Sequence, residues 1–72
     1  MSTFNLIVTR DHDGGLQDAT YTATIYDGGI PVETCVDATA ARFHHWLDLY
    51  PLRKITGTSI WTCTLLERPQ LP

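Results

Sequence analysis

The segment from Asp37 to Tyr50, DATAARFHHWLDLY, carries the one clear helical period in this chain. Phe43, Trp46, Leu47 and Tyr50 recur at i, i+3, i+4 and i+7, which stacks four large apolar or aromatic side chains along one side of a helix. Asp37 is the expected N-cap, because its carboxylate can accept from the free N–H groups of the first turn and opposes the positive end of the helix dipole. Pro51 closes the other end: it has no N–H to donate, and it disfavours helical geometry at Tyr50. A lone amphipathic helix of about four turns cannot bury its apolar side against itself. The flanking sequence must supply a sheet.

The alternation of side chains supports this. From Thr3 to Arg10, Phe4, Leu6 and Val8 fall on one side and Asn5, Ile7 and Thr9 on the other, the period of a half-buried strand. Asp11-His12-Asp13-Gly14-Gly15 is dense in turn formers and reads as a hairpin connection. In Ala19 to Asp27, Tyr21, Ala23 and Ile25 face one way, and Thr20, Thr22, Thr24 and Tyr26 the other. Asp27-Gly28-Gly29 is a second tight turn, after which Ile30 to Val36 returns either as a third strand or as a loop. Pro31 cannot donate to a ladder, so such a strand belongs at an edge and is expected to be short. Leu52-Arg53-Lys54 reads as a polar connection. Ile55 to Leu66 reads as one last strand, with Trp61, Cys63 and Leu65 on one face and Thr58, Ile60, Thr62 and Thr64 on the other. Residues 67–72, with two prolines, end the chain as an extended tail.

The expected fold is therefore α+β: one domain spanning residues 1–72, a small mostly antiparallel sheet of three to four strands packed on one helix, in the order ββ(β)αβ. If the third strand forms, the helix is a crossover and the last strand can run parallel to the first; if it is a loop, every pair can be antiparallel. Phe4, Leu6, Val8, Tyr21, Ala23, Ile25, Trp61, Cys63 and Leu65 are expected to meet Phe43, Trp46, Leu47 and Tyr50 in the core.

A chain of 72 residues lies near the lower limit for a single unstapled core. Its 43% hydrophobic and 18% charged content is that of a folded protein. A net charge of −3 gains little from neutralising phosphates, which argues against direct nucleic-acid binding, and scattered carboxylates make a poor mimic of DNA. MSTFNLIV lacks a basic lead and a long apolar run, so neither a signal peptide nor a membrane span is expected, and the bacterial cytosol is the expected compartment. Cys35 and Cys63 read there as structural free thiols.

No catalytic, cofactor or metal site emerges. His44 and His45 point about 100° apart on a helix and cannot share a metal. His44 and Asp48 stand at i, i+4, where a solvated pair on the outer face is the simple reading. Asp11-His12-Asp13-Gly14 lacks the later ligands and closing glutamate of a calcium loop. Neither Ser2 nor Ser59 lies in an elbow motif, and both cysteines lie in strand-like surroundings. The glycine pairs do not lead straight into a helix, as a phosphate-cradling loop would.

What remains is surface. The outer sheet face combines Thr20, Thr22, Thr24, Thr58, Thr62 and Thr64 with Tyr26, Ile7 and Ile60, suited to anchoring a protein partner. The outer helix face offers Arg42, His45 and Leu49, and the edge strand can pair with a partner or with a second copy, making a homodimer. The expected contact residues are Tyr26, Arg42, His45, Leu49 and Arg53, with Asp11 and Asp13 placed to engage a basic groove.

Phe4 to Val8, the turn Arg10-Asp11-His12-Asp13-Gly14-Gly15, the second strand and the helix opening Asp37-Ala38-Thr39-Ala40-Ala41 together resemble the HicB-like antitoxin domain over residues 4 to 50. That resemblance implies a small sheet on one helix and neutralisation of a small ribonuclease toxin. The family's usual proline- and glycine-containing loop is here Asp27-Gly28-Gly29-Ile30-Pro31, and no DNA-binding extension is expected. In size, acidity and architecture the chain also resembles the small phage-encoded anti-CRISPR proteins. This second resemblance implies a non-enzymatic inhibitor that binds a subunit of a bacterial CRISPR-Cas interference complex and blocks it sterically. A third expectation, a metal- or ligand-binding regulator, would draw on His12, His44 and His45.

Overall fold

The computed structural model describes residues 3–11 and 19–71. Five strands and one helix follow in the order β1 (Phe4–Arg10), β2 (Tyr21–Asp27), β3 (Ile30–Ala38), α1 (Ala40–Leu49), β4 (Arg53–Lys54) and β5 (Ile60–Leu65). They form one sheet in the spatial order β3-β2-β1-β5-β4, and every neighbouring pair is antiparallel. The α+β class holds, with two more elements than the shortest expected version.

The expected third strand forms and lies at an edge, but it is nine residues long rather than short. Pro31 is tolerated there opposite Tyr26. Gly28 and Gly29 both take positive φ, 58° and 88°, the backbone of a two-residue hairpin whose twist matches the strands it joins. Two register shifts break the β2–β3 ladder, between Tyr21 and Ala23 and between Ile25 and Tyr26. The first absorbs one extra residue of β3, and Asp37 sits within it at φ 57°.

That bulge explains why the helix starts later than expected. Pairing with β2 continues to Ala38, opposite Tyr21, so Asp37 belongs to the strand and does not cap the helix. Thr39 caps instead, its Oγ1 accepting from the Arg42 N–H at 3.2 Å and its carbonyl from the Phe43 N–H at 3.0 Å. At the other end Tyr50 turns extended before Pro51, as the residue preceding a proline should.

The expected last strand, Ile55 to Leu66, is two strands and a turn. Arg53 and Lys54, expected as a connection, form β4 and pair with Thr62 and Trp61. The hairpin between them closes through Ile55 N–H to the Ile60 carbonyl at 2.8 Å and Thr58 N–H to the Ile55 carbonyl at 3.1 Å, with Gly57 at φ 80°. This hairpin also decides the orientation of β5. The helix does make a crossover, delivering the chain to β4, which points the same way as β3 from the opposite edge; β5 then turns back and lies antiparallel to β1. The parallel pairing left open by the sequence does not occur.

All the expected core residues meet between sheet and helix, joined by Ala19, Ala38, Cys35, Ala40, Leu52 and Leu71. Phe43 stacks on Tyr21 with centroids 4.2 Å apart and planes 6° apart, and meets Trp61 edge-on at 4.7 Å. Trp46 is fully buried at the centre. Burying an indole removes roughly 150–250 Å² from water, worth about 4–6 kcal/mol. Its N–H has no acceptor, which costs about 1–3 kcal/mol, so the ring's burial wins. Replacing Trp46 with alanine is expected to destabilise the fold by about 3–5 kcal/mol in urea unfolding. Trp46→Phe should cost distinctly less, because it removes the unmet donor together with part of the ring.

Candidate functional site

The helix covers one face of the sheet; among the described residues no element lies on the other. On that open face the register builds three cross-strand rows. Arg53, Thr62, Ile7, Thr24 and Thr34 form the central one, running from β4 across to β3. Thr64, Asn5, Tyr26 and Pro31 form a second, and Ile60, Thr9 and Thr22 a third. Thr64 Oγ1 donates to Asn5 Oδ1 at 3.0 Å. Asp11 terminates the third row: one carboxylate oxygen accepts from Thr9 Oγ1 at 3.2 Å, the other from Thr22 Oγ1. Most of these side chains are half-buried by their neighbours, so their rotamers are already restricted, and the β-branched ones have little χ1 freedom to lose.

The expected contact residues divide between two sides of the molecule. Tyr26, Arg53 and Asp11 belong to the open face. Arg42, His45 and Leu49 are exposed on α1, over the opposite face. One flat partner surface cannot touch both groups. Asp13 lies outside the described residues, as does His12, so the acidic turn and the histidine set drawn from it are not described. His44 and Asp48 are both exposed, and the ring contact of His44 is with Phe43 at 5.7 Å rather than with the carboxylate.

Two features go beyond what the sequence shows. The first is the apolar character of the expected β3 edge: the strand runs nine residues, and Ile30, Val32 and Val36 along it are exposed. The second is the docking of the tail. Tyr50 Oη donates to the Gln70 carbonyl at 3.0 Å and accepts from the Gln70 N–H at 3.1 Å, and Pro69 is buried. Arg68 reaches Glu33 at 3.2 Å, an exposed pair of small energetic weight. Together Glu33, Leu49, Tyr50, Arg68, Gln70 and Leu71 line an open groove of about 690 Å³ beside β3.

Among the described residues, no three His, Cys, Asp or Glu side chains gather as a metal site would require, and no helix is long and apolar enough to cross a membrane. Both cysteines are free, Cys63 buried and Cys35 half-buried. No family model, curated protein or solved structure matches the chain.

Burial pushes the Cys63 thiol up from its ordinary 9.0, outweighing the hydrogen bond with the Leu6 backbone that acts the other way. A thiol held protonated is a poor nucleophile, which suits a packing role. Folded Cys63 keeps its proton where the unfolded chain has lost it. Its contribution to stability is therefore intact below about pH 9 and falls away as the pH rises past that value. Stability of the Cys63→Ala variant is expected to decline less steeply above about pH 9 than that of the parent. Native alkylation with iodoacetamide should modify Cys35 before Cys63.

Proposed function

We propose that this protein is a non-enzymatic binding protein that lays its open sheet face on a larger protein and inhibits it sterically. The observation that carries the reading is the three-row face, centred on β2, β1 and β5 and extended by Arg53 of β4 and by Pro31 and Thr34 of β3, with Ile7, Ile60 and Tyr26 set among threonines. Such a face offers contact area at low entropic cost, and Tyr26 supplies an aromatic anchor with a polar tip. Arg53 and Asp11 at its margins are the only charged side chains in the three rows, opposite in sign and well suited to fixing orientation. A single guanidinium offers little purchase on a phosphate backbone, which favours a protein surface over nucleic acid as the direct contact.

The partner class follows from the resemblance in size, acidity and architecture to phage-encoded anti-CRISPR proteins: a protein subunit of a bacterial nucleoprotein defence complex, met in the host cytosol. Tyr26, Arg53 and Asp11 make the contact, with Ile7 and Ile60 beside them. Arg42, His45 and Leu49 face away from it.

Affinity capture of the tagged chain from bacterial lysates carrying CRISPR-Cas systems, followed by mass spectrometry, tests both partner and surface. Interference-complex subunits are the expected catch. Tyr26→Ala should weaken their retention about tenfold or more with an almost unchanged thermal midpoint, and Arg42→Ala should retain them. Capture of a small ribonuclease instead would replace this reading with the antitoxin one. Loss of binding in Arg42→Ala but not in Tyr26→Ala would move the interface to the helix.

A further inference from the structure

β3 has β2 on one side and, among the described residues, no strand on the other. Half of its backbone N–H and C=O groups therefore face outward, less the one donor that Pro31 lacks. Exposed hydrophobic side chains accompany them: Ile30 at 67%, Val32 at 40% and Val36 at 63%. The strand contains two acidic residues, Glu33 and Asp37, and no lysine; Pro31 and the two bulges confine regular edge pairing to the section around Thr34.

We propose that two copies of this chain join edge to edge through β3, antiparallel about a two-fold axis at Thr34. In that register Thr34 meets Thr34 of the second copy, and Val32 of each copy meets Val36 of the other. The two exposed valines are thus self-complementary, as a symmetric interface requires. Moving the axis to Glu33 would set two carboxylates directly opposite each other, a destabilising pair.

Charge supports the same register. Glu33 comes opposite Cys35 of the second copy. Arg42 lies beside Cys35 in each chain, its Nη1 4.0 Å from the sulfur, and has no carboxylate partner among the described residues. Pairing therefore brings the Arg42 guanidinium of one copy to Glu33 of the other, twice per dimer. Glu33 engages Arg68 through Oε1 and retains its second oxygen for this contact. The register shifts of β3 flank its straight section from Glu33 to Cys35, and the axis falls within that section.

The product is a continuous ten-stranded sheet, five strands from each copy. Its two-fold axis runs through the sheet, so both helices lie on one side and both open faces on the other. This inference stands independently of the partner proposed above and would double the face offered to it.

Sedimentation of the full chain from micromolar to millimolar concentration is the test. A reversible monomer–dimer equilibrium is expected, with Val36→Lys raising the dissociation constant tenfold or more at an unchanged thermal midpoint. Glu33→Lys should weaken the dimer, and Glu33→Lys combined with Arg42→Glu should restore it. Tyr26→Ala should dimerise like the parent, which separates this inference from the partner-binding one. A monomer at every concentration overturns the proposal, and so does a dimer that Val36→Lys leaves intact.

Discussion

One helix can cover only one face of a five-stranded sheet, and the contact that makes this arrangement hold is Trp46 seated at the centre of that face. The ten-residue helix is too short to be stable alone, and its acidic residue Asp48 lies near the wrong end to help it. Its order comes from packing. Phe43 and Trp46 are its buried residues, and around them close Tyr21, Trp61, Leu6, Val8, Ala23 and Ile25 from the three central strands. The apolar material in so short a chain is largely committed to this one layer, and the opposite face of the sheet is left to threonine, asparagine, isoleucine and tyrosine.

The rest of the architecture serves that single core. Thr39 starts the helix where β3 ends, and Pro51 stops it where β4 must begin. The β4–β5 hairpin then turns the chain so that Trp61, Cys63 and Leu65 return beneath the helix. The tail contributes a last closure: Leu71 packs against the core while Tyr50, at the helix end, holds Gln70 through both backbone groups. What faces outward on the far side is consequently ordered by the ladder beneath it, and the proposed binding surface rests on this order.

Period-two and helical patterning made the two layers and most of the core legible, because those inward residues belong to regular repeats; Ala38, beyond the β3 bulge, and Leu71, in the tail, do not. Boundaries were less legible, for identifiable reasons. Asp37 looks like a cap by chemistry, but tertiary pairing of β3 with β2 claims it for a bulge and passes capping to Thr39. Thr56-Gly57-Thr58-Ser59 sits inside a run rich in β-formers, so its turn was masked by strand propensity, although Gly57 at φ 80° marks it. Of the expected contact residues, Tyr26 reads from its alternation as outward-facing on the sheet and Arg42, His45 and Leu49 as outward-facing on the helix, so their division between two sides is legible; Arg53 reads as a connection, and only the pairing of β4 with β5 brings it onto the open face. The docking of Gln70 on Tyr50 rests on a contact between residues twenty apart, which no local pattern encodes.

The central claim is that function resides on the uncovered face and not on the helix. Backbone amide spectra of the isotopically labelled chain, recorded while its captured partner is titrated in, test it most directly. Shift changes concentrated on Ile7, Thr9, Thr24, Tyr26, Thr62 and Thr64 are the expected result. Changes confined to Arg42, His45 and Leu49, with the sheet resonances unmoved, would contradict the account.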